Sequence, residues 1–65
     1  MNREDYPNSV LVGLISERIH KERDRYILFE RLVQGLTYEK IAEMHDMSVA
    51  QIKRIVYKGE TAIFR

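Results

Sequence analysis

The stretch Leu36–Lys58, LTYEKIAEMHDMSVAQIKRIVYK, reads as a short helix, a tight turn and a second helix. Thr37 is a good N-cap for the first helix, because its hydroxyl can accept a hydrogen bond from a backbone N–H that the first turn leaves unpaired. Glu39 lies in that first turn, where a negative charge suits the positive end of the helix dipole. Asp46 marks the bend, since Asp tolerates left-handed backbone better than most residues. The pattern predicts two helices separated at this aspartate.

The apolar side chains of both helices follow the helical period. In the first helix they are Ile41, Ala42 and Met44. Ser48 is a second N-cap, and the apolar residues after it recur every 3.6 residues on average; they are Ile52, Ile55, Val56, Gly59, Ala62 and Ile63. Burial of this stripe turns the other side of the helix outward, with Ala50, Arg54, Tyr57, Lys58 and Thr61 exposed and Gln51 and Lys53 on the flanks. A face rich in basic and hydrogen-bonding groups is what a helix in the major groove of DNA needs.

Size and composition favour one small all-α domain. The chain has 65 residues, no cysteine and a single proline, Pro7. A domain of this size is marginally stable unless its helices pack well or it pairs with a partner. The lack of cysteine excludes a disulfide scaffold and a thiolate metal site. The longest apolar run, Val10–Ile15, is far too short to cross a bilayer, so we expect a cytoplasmic protein that does not associate with membranes.

The charge of the chain is small but unevenly distributed. The formal net charge is +1, yet the residues from Ser48 to the end carry four bases and one acid, a charge of +3, and the rest of the chain sums to −2. A solvated helix face is the simplest explanation of a few basic residues. The pattern of cap, helix, turn and second cap that precedes these basic residues favours a different explanation. In this explanation they form the electrostatic footprint of a DNA-binding surface.

The N-terminal part of the chain predicts an arm and a first helix. Residues 1–8 are polar and read as a flexible N-terminal arm, and the folded domain is expected to span residues 9–65. Its first helix is expected to begin after a cap at Asn8 or Ser9 and to run to about Ile19. Its apolar residues lie mainly on one side of the helix; they are Leu11, Leu14, Ile15 and Ile19, with Val10 and Val12 at the margins.

A charge-dense segment, Arg18–Arg25, separates this helix from the next. We expect a break near His20 and Lys21; the alternative is one long continuous helix in which this segment faces solvent. The following helix is expected over about Glu22–Gln34, with an inner face formed by Tyr26, Phe29, Leu32 and Val33 and widened by Ile27 and Leu28. Gly35 falls just past its end, where a left-handed C-cap is favoured.

The segment GLTYEKIAEMHDMS followed by QIKRI resembles the C-terminal promoter-reading domain, region four, of bacterial sigma factors, and it is similar to LuxR-type regulator domains. The shared features are the Gly-Leu-Thr entry, the Tyr-Glu-x-Ile-Ala-Glu helix, a hydrophobic residue before the second cap, and an Ile-Lys pair. The match runs without gaps over Gly35–Lys58, and Tyr38 favours the sigma version. The resemblance implies a small four-helix domain with a helix-turn-helix motif at 37–58 that inserts helix 49–63 in the major groove.

The resemblance also implies a DNA-facing set by position: Val49, Ala50, Gln51, Arg54 and Lys58 on the second motif helix, Thr37 and Tyr38 against the DNA backbone at the entry to the first, and Arg25 near the phosphates. The chain departs from the family pattern at two places. Val49 and Ala50 replace positions that are often polar, which reduces base reading there to contacts such as a thymine methyl group. His45 and Asp46 replace an apolar residue and a glycine, so we expect a reshaped turn.

Side-chain chemistry separates the candidate base contacts from the backbone contacts. Arg54 is the first choice for a specific contact, because its guanidinium can pair with O6 and N7 of guanine. Lys53 and Lys58 are better suited to phosphates. Gln51 could pair with adenine or remain solvated, and Tyr57 could contact a sugar–phosphate or pack in a dimer.

Two classes of function remain open. The first is a sequence-specific transcription regulator bound to double-stranded DNA. Ile63 and Phe64 could close the core of the monomer or form a homodimer, and a homodimer would raise affinity. The second is a protein-interaction module that mimics a sigma domain and binds RNA polymerase or another regulator, and the apolar pair Val49–Ala50 supports it. The sequence contains no catalytic, cofactor-binding or metal-binding constellation, and we expect no enzymatic activity.

Overall fold

The structure, a computed structural model, describes residues 6–64, which form four helices and no strand. In chain order the helices are α1 (Asn8–Arg18), α2 (Glu22–Leu32), α3 (Tyr38–His45) and α4 (Val49–Ile63). The predictions of an all-α fold and of four helices are confirmed, and α4 has the predicted bounds. No helix of the described range is both long and apolar enough to span a membrane. The predicted arm falls largely on residues 1–5, which lie outside the described range.

The core lies where α4 packs against α2 and α3, with α1 closing one side. Its completely buried side chains are all aliphatic: Ile27, Leu28, Ile41, Ile52, Val56 and Ile63. On α2, Ile27 and Leu28 therefore form the inner face, whereas Tyr26, which was predicted there, is 58% exposed. Burying one such aliphatic side chain contributes about 1.5–3 kcal/mol relative to leaving it in water. The apolar stripe predicted for the last helix therefore holds the domain together.

The two caps that frame the α3–α4 connection are both formed as predicted. The Thr37 hydroxyl oxygen accepts from the Lys40 N–H at 3.1 Å, and the Ser48 hydroxyl oxygen accepts from the Gln51 N–H at 3.1 Å. Asp46 adopts the left-handed conformation, with φ 54° and ψ 47°. Because both helix starts and the bend are fixed locally, α3 and α4 have a defined relative orientation.

The α1–α2 connection is a real break, so the two helices are separate. The Arg25 side chain holds it: Nε donates to the carbonyl oxygen of Ile19 at 2.6 Å, and Nη2 donates to that of His20 at 2.8 Å. These bonds satisfy carbonyl groups that the end of α1 leaves without helical partners.

The start of α1 differs from the prediction. Pro7 occupies the N-cap position and no side chain caps the helix, so neither Asn8 nor Ser9 is the cap. The carbonyl oxygen of Pro7 accepts from the N–H groups of Val10 and Leu11 at 3.0 and 3.1 Å. Proline suits a helix start because its φ is already fixed near the helical value and it has no N–H to satisfy.

The end of α2 also differs, by two residues. The helix stops at Leu32, not Gln34, and the N–H groups of Val33 and Gln34 both donate to the carbonyl oxygen of Phe29. Gly35 has a positive φ of 72°, as predicted. A left-handed residue cannot continue a right-handed helix, so the chain leaves the helix axis before this glycine.

On α3 the structure differs from the prediction at Met44. Met44 was predicted on the apolar face and is 50% exposed, whereas His45 is half-buried. His45 Nε2 lies 2.7 Å from Glu30 Oε1, and these two side chains are only 20% and 12% exposed. Residues four apart share a helix face, so His45 follows the buried Ile41 inward. The contact ties α3 to α2.

We expect His45→Ala to lower the free energy of unfolding by about 1–2 kcal/mol, because it leaves a largely buried carboxylate of Glu30 without this partner. Urea denaturation followed by circular dichroism measures the loss. Lys40→Ala is the matched control, since it removes the exposed Lys40–Glu43 pair, whose Nζ–Oε1 distance is 3.8 Å, and such pairs contribute at most about 1 kcal/mol. Equal losses in the two variants would contradict a structural role for His45.

Candidate nucleic-acid interface

The outward face of α4 has the predicted orientation. Ile52 and Val56 are completely buried, and the helix turns Arg54 and Lys58 to solvent on its opposite side. Ala50, Tyr57 and Thr61 are also exposed. Burial of the Ile52–Val56 stripe therefore places Arg54 near the middle of the exposed face. Lys58 follows one helical turn later.

Two candidate base-contacting residues at the start of α4, Val49 and Gln51, have structural roles that we did not predict. The side-chain oxygen of Gln51 accepts from the Ser48 N–H at 2.9 Å, which completes a reciprocal capping box. Val49 is half-buried and packs against the core, so only part of its side chain faces outward. Ala50 is fully on the surface. The spacing Ser-x-x-Gln was the signal for the capping box.

On one flank of α4 four side chains meet, and we call this group the Tyr38 cluster: Arg31, Tyr38, Lys53 and Tyr57. The Arg31 guanidinium carbon lies 4.3 Å from the centroid of the Tyr38 ring, and Lys53 Nζ lies 5.6 Å from it. The Tyr57 ring meets the Tyr38 ring edge-on at 6.4 Å. Cation–π contacts at these distances are attractive. The cluster therefore brings three of the candidate backbone-contacting residues to one place.

The contact of Tyr57 with Tyr38 changes the acidity of its phenol. The hydrogen bond and the charge of Tyr38 are the main causes, with smaller effects of burial and of the charge of Glu60, and they raise the pKa of the Tyr57 phenol above its usual value of 10.0. Like an ordinary tyrosine, the phenol is neutral at physiological pH. Thr37, another candidate backbone contact, is exposed at the adjacent N-terminus of α3.

Arg25 is the candidate backbone contact that already has partners within the chain. Its guanidinium donates to two carbonyl groups at the α1–α2 break, and it lines a groove between those helices together with Val12, Tyr26 and Phe29. Its phosphate contact stays a prediction.

The other flank of α4 carries a surface that sequence reasoning missed, which we call the basic groove. It has a volume of about 350 Å³ and is lined by five cationic side chains: Arg18, Lys21, Arg23, Arg54 and Lys58. The buried residues Leu28 and Gly59 also border it. Asp24 is the only acid among its lining residues in the described range, so their formal charge is +4 with the histidine neutral.

The close approach of α2 and α4 beside the basic groove depends on Gly59. A Cβ atom at this position would lie 2.4 Å from Leu28 Cδ1 and 2.7 Å from Leu28 Cδ2. The glycine therefore lets the two helices pack closely enough to bring Lys58 near the start of α2. The dense charge of Arg18–Arg25 was the available sequence signal, but it did not identify α4 as the neighbour.

No group of three or more His, Cys, Asp or Glu side chains within residues 6–64 could hold a metal ion. His20 is exposed beside the basic groove, and His45 pairs with Glu30.

Comparisons of the chain with protein-family models, with curated proteins and with solved structures gave no match. A proposal of function therefore rests on the geometry of this chain alone. That geometry is a basic face of α4 with the Tyr38 cluster on one flank and the basic groove on the other.

Proposed function

We propose that this chain is a sequence-specific DNA-binding transcription regulator, in which α3 and α4 form a helix-turn-helix of the sigma region four type and α4 enters the major groove. One observation carries the proposal. The buried stripe of α4 fixes Arg54 and Lys58 on the exposed face of a helix whose start and preceding turn are locally locked. A duplex is a polyanion whose major groove admits an α-helix.

Base reading is assigned to the first turns of α4. Arg54 can donate two hydrogen bonds to O6 and N7 of guanine, which is the most frequent specific contact in protein–DNA complexes. Gln51 keeps its amide N–H groups for an acceptor on a base edge, because its oxygen is held by the cap. Ala50 and the exposed part of Val49 are suited to a thymine methyl group.

Backbone contacts are assigned to the Tyr38 cluster and to the residues beside it. Lys53 supplies a cation, Tyr57 supplies an exposed phenol, and Thr37 and Tyr38 lie at the N-terminus of α3, where the helix dipole favours anions. Such contacts set the register of the protein on the duplex without reading its sequence.

A single domain of this size reads few base pairs, so a homodimer would extend the site and raise affinity. The proposed dimer contact at Ile63 and Phe64 is already used within the monomer in part. Ile63 is 2% exposed, and the Phe64 ring packs against Tyr6 with its centroid 5.2 Å away. Any dimer would therefore have to use the remaining surface of Phe64 and its neighbours.

The test measures duplex binding by fluorescence anisotropy as a function of salt concentration. For the wild type we expect log K to fall linearly with log salt, and for Lys58→Ala we expect the slope to decrease by about 0.9, the value for one phosphate contact. The loss of affinity should be similar for every duplex sequence, because phosphate contacts carry no sequence information. No detectable binding to any duplex at low salt would overturn the proposal.

The alternative function is a protein-interaction module that mimics a sigma domain and binds RNA polymerase or another regulator. Two side chains favour it: Met44 on α3 is 50% exposed and Tyr57 is 55% exposed, so both helices of the proposed motif present apolar surface. Val49 favours it less, since its side chain is partly in the core. Co-purification with RNA polymerase, together with absent DNA binding, would select this alternative.

A further inference from the structure

We propose that the basic groove is a phosphate-binding site, and that in the DNA complex it holds a backbone phosphate of the strand on the Lys58 side of α4. The source of the phosphate rests on the proposed function, whereas the chemistry of the site rests on the groove alone. Its cationic side chains come from the end of α1, the α1–α2 connection, the start of α2 and the middle of α4.

The electrostatics of the basic groove favour an anion strongly. Five cations and one acid line a groove of about 350 Å³, and the buried side chain of Leu28 also borders it. Low-dielectric walls of one charge sign focus the potential and raise the local concentration of counter-ions. The single acid, Asp24, accepts from Arg23 Nε and Nη2 at 3.2 and 3.1 Å, which leaves the groove with a surplus of four positive charges.

Two of the cations are already held in place before any ligand binds. Arg18 Nη1 donates to the carbonyl oxygens of Ile63 at 2.9 Å and Ala62 at 3.4 Å, so the C-terminal turn of α4 fixes its guanidinium. Arg23 is held by Asp24. Binding that does not need to immobilise long side chains loses less conformational entropy. The site is thus partly preorganised for its ligand.

The chemistry of the lining points to phosphate. Guanidinium groups match the geometry of phosphate oxygens, and ammonium groups such as those of Lys21 and Lys58 add point charges without a geometric demand. The volume of the groove, about 350 Å³, is too small for a duplex but large enough for one phosphate group. A tetrahedral anion with several acceptor oxygens can engage cations on both walls together, which a single carboxylate does less well.

The position of the basic groove points to DNA as the source of that phosphate. Arg54 and Lys58 belong both to the groove and to the exposed face of α4, so the two surfaces are continuous. Along the helical repeat, Lys53 and Lys58 project on opposite sides of the buried stripe. A helix in the major groove is bordered by one strand on each side. The Tyr38 cluster would hold one strand, and the basic groove would hold the other.

The first experiment tests the groove without DNA. Inorganic tripolyphosphate is titrated into the ¹⁵N-labelled full chain at low salt, and amide shifts are expected to concentrate at residues 18–24 and 54–59. The double variant Lys21→Ala/Arg23→Ala should bind the anion about tenfold more weakly, because two charged hydrogen-bond donors are removed from the groove. Lys40→Ala removes a cation outside the groove and should bind as the wild type does. Shifts spread evenly over the surface, or equal weakening by Lys40→Ala, would overturn the site.

The second experiment tests the DNA backbone as the source. On any duplex, Lys21→Ala/Arg23→Ala should lower affinity and reduce the slope of log K against log salt by about 0.9 for each phosphate that the variant no longer neutralises, with the order of preferred sequences unchanged. Unchanged duplex affinity in this variant, beside a wild type that binds DNA, would overturn the backbone assignment and leave the proposed function standing. A chain that binds tripolyphosphate in the groove but no duplex would instead retain the phosphate site and remove the proposed function.

Discussion

Ile52→Ala is expected to remove most of the stability of the domain. Ile52 is completely buried at the centre of the α4 stripe, and it belongs to the core cluster shared by all four helices. Truncating a buried isoleucine to alanine typically costs about 2–5 kcal/mol, because apolar burial is lost and a cavity remains. In a domain of fewer than about 70–80 residues a single hydrophobic core rarely supplies more than about 3–5 kcal/mol. The variant should therefore populate the unfolded state substantially at room temperature.

Ile55→Ala is the matched control for this change, since it removes the same atoms from the same helix. Ile55 is only half-buried at the edge of the stripe, so less apolar surface is lost and the cost should be clearly smaller. Alanine has the higher helix propensity, which means that any loss in either variant reports packing. Urea denaturation followed by circular dichroism provides both values. If the two substitutions cost the same, the stripe would not be the core that orients Arg54.

The features of the fold that could be predicted from the sequence are those fixed by neighbouring residues. Thr37 and Ser48 were identified as caps because a hydroxyl bonds to an N–H within its own helix turn, and Asp46 was identified because its backbone preference is local. The bounds of α4 followed from a long, regular apolar period. None of these features depends on which helix packs against which.

Several features that were not predicted depend on contacts between distant segments. Met44 was predicted on the wrong face because α3 has only eight residues, too few for the apolar period to fix which side of the helix faces inward. The partners of Arg25 could not be predicted from spacing, since they are carbonyl groups at the end of another helix. The basic groove joins Lys21 to Lys58, 37 positions apart in the sequence, and only the packing of α2 on α4 shows that they are neighbours.

Gln51 is an intermediate case. Its capping role could have been predicted from the sequence, and this role does not exclude a contact with DNA. A Ser-x-x-Gln spacing predicts the reciprocal cap, and the structure contains both of its hydrogen bonds. The side-chain oxygen is thereby committed to the protein, whereas the amide nitrogen is a donor only. A residue in this state can donate to a base but cannot form the bidentate pair with adenine that a free glutamine forms. Sequence selectivity is therefore assigned chiefly to Arg54.

Arg54→Ala is expected to reduce affinity for the preferred duplex, obtained by selection from random sequences, about 10- to 100-fold, because a bidentate pair with guanine contributes roughly 1–3 kcal/mol of discrimination. Affinity for unrelated duplexes should fall much less, since only one positive charge is removed there. Arg54 is exposed, so the free energy of unfolding should change by no more than about 0.5 kcal/mol. The ratio of the two affinities, measured by fluorescence anisotropy at one salt concentration, is the decisive quantity.

Arg54→Lys separates charge from geometry at the same position. Lysine keeps the positive charge but lacks the planar fork that pairs with two acceptors at once, so non-specific affinity should be retained while the preference for the selected sequence declines. Lys58→Ala should do the opposite, because it weakens all duplexes alike. If Arg54→Lys and Lys58→Ala had the same profile, Arg54 would be another phosphate contact. Base reading would then have to come from Gln51 and Ala50, whose combined hydrogen-bonding capacity is too small to select a long site.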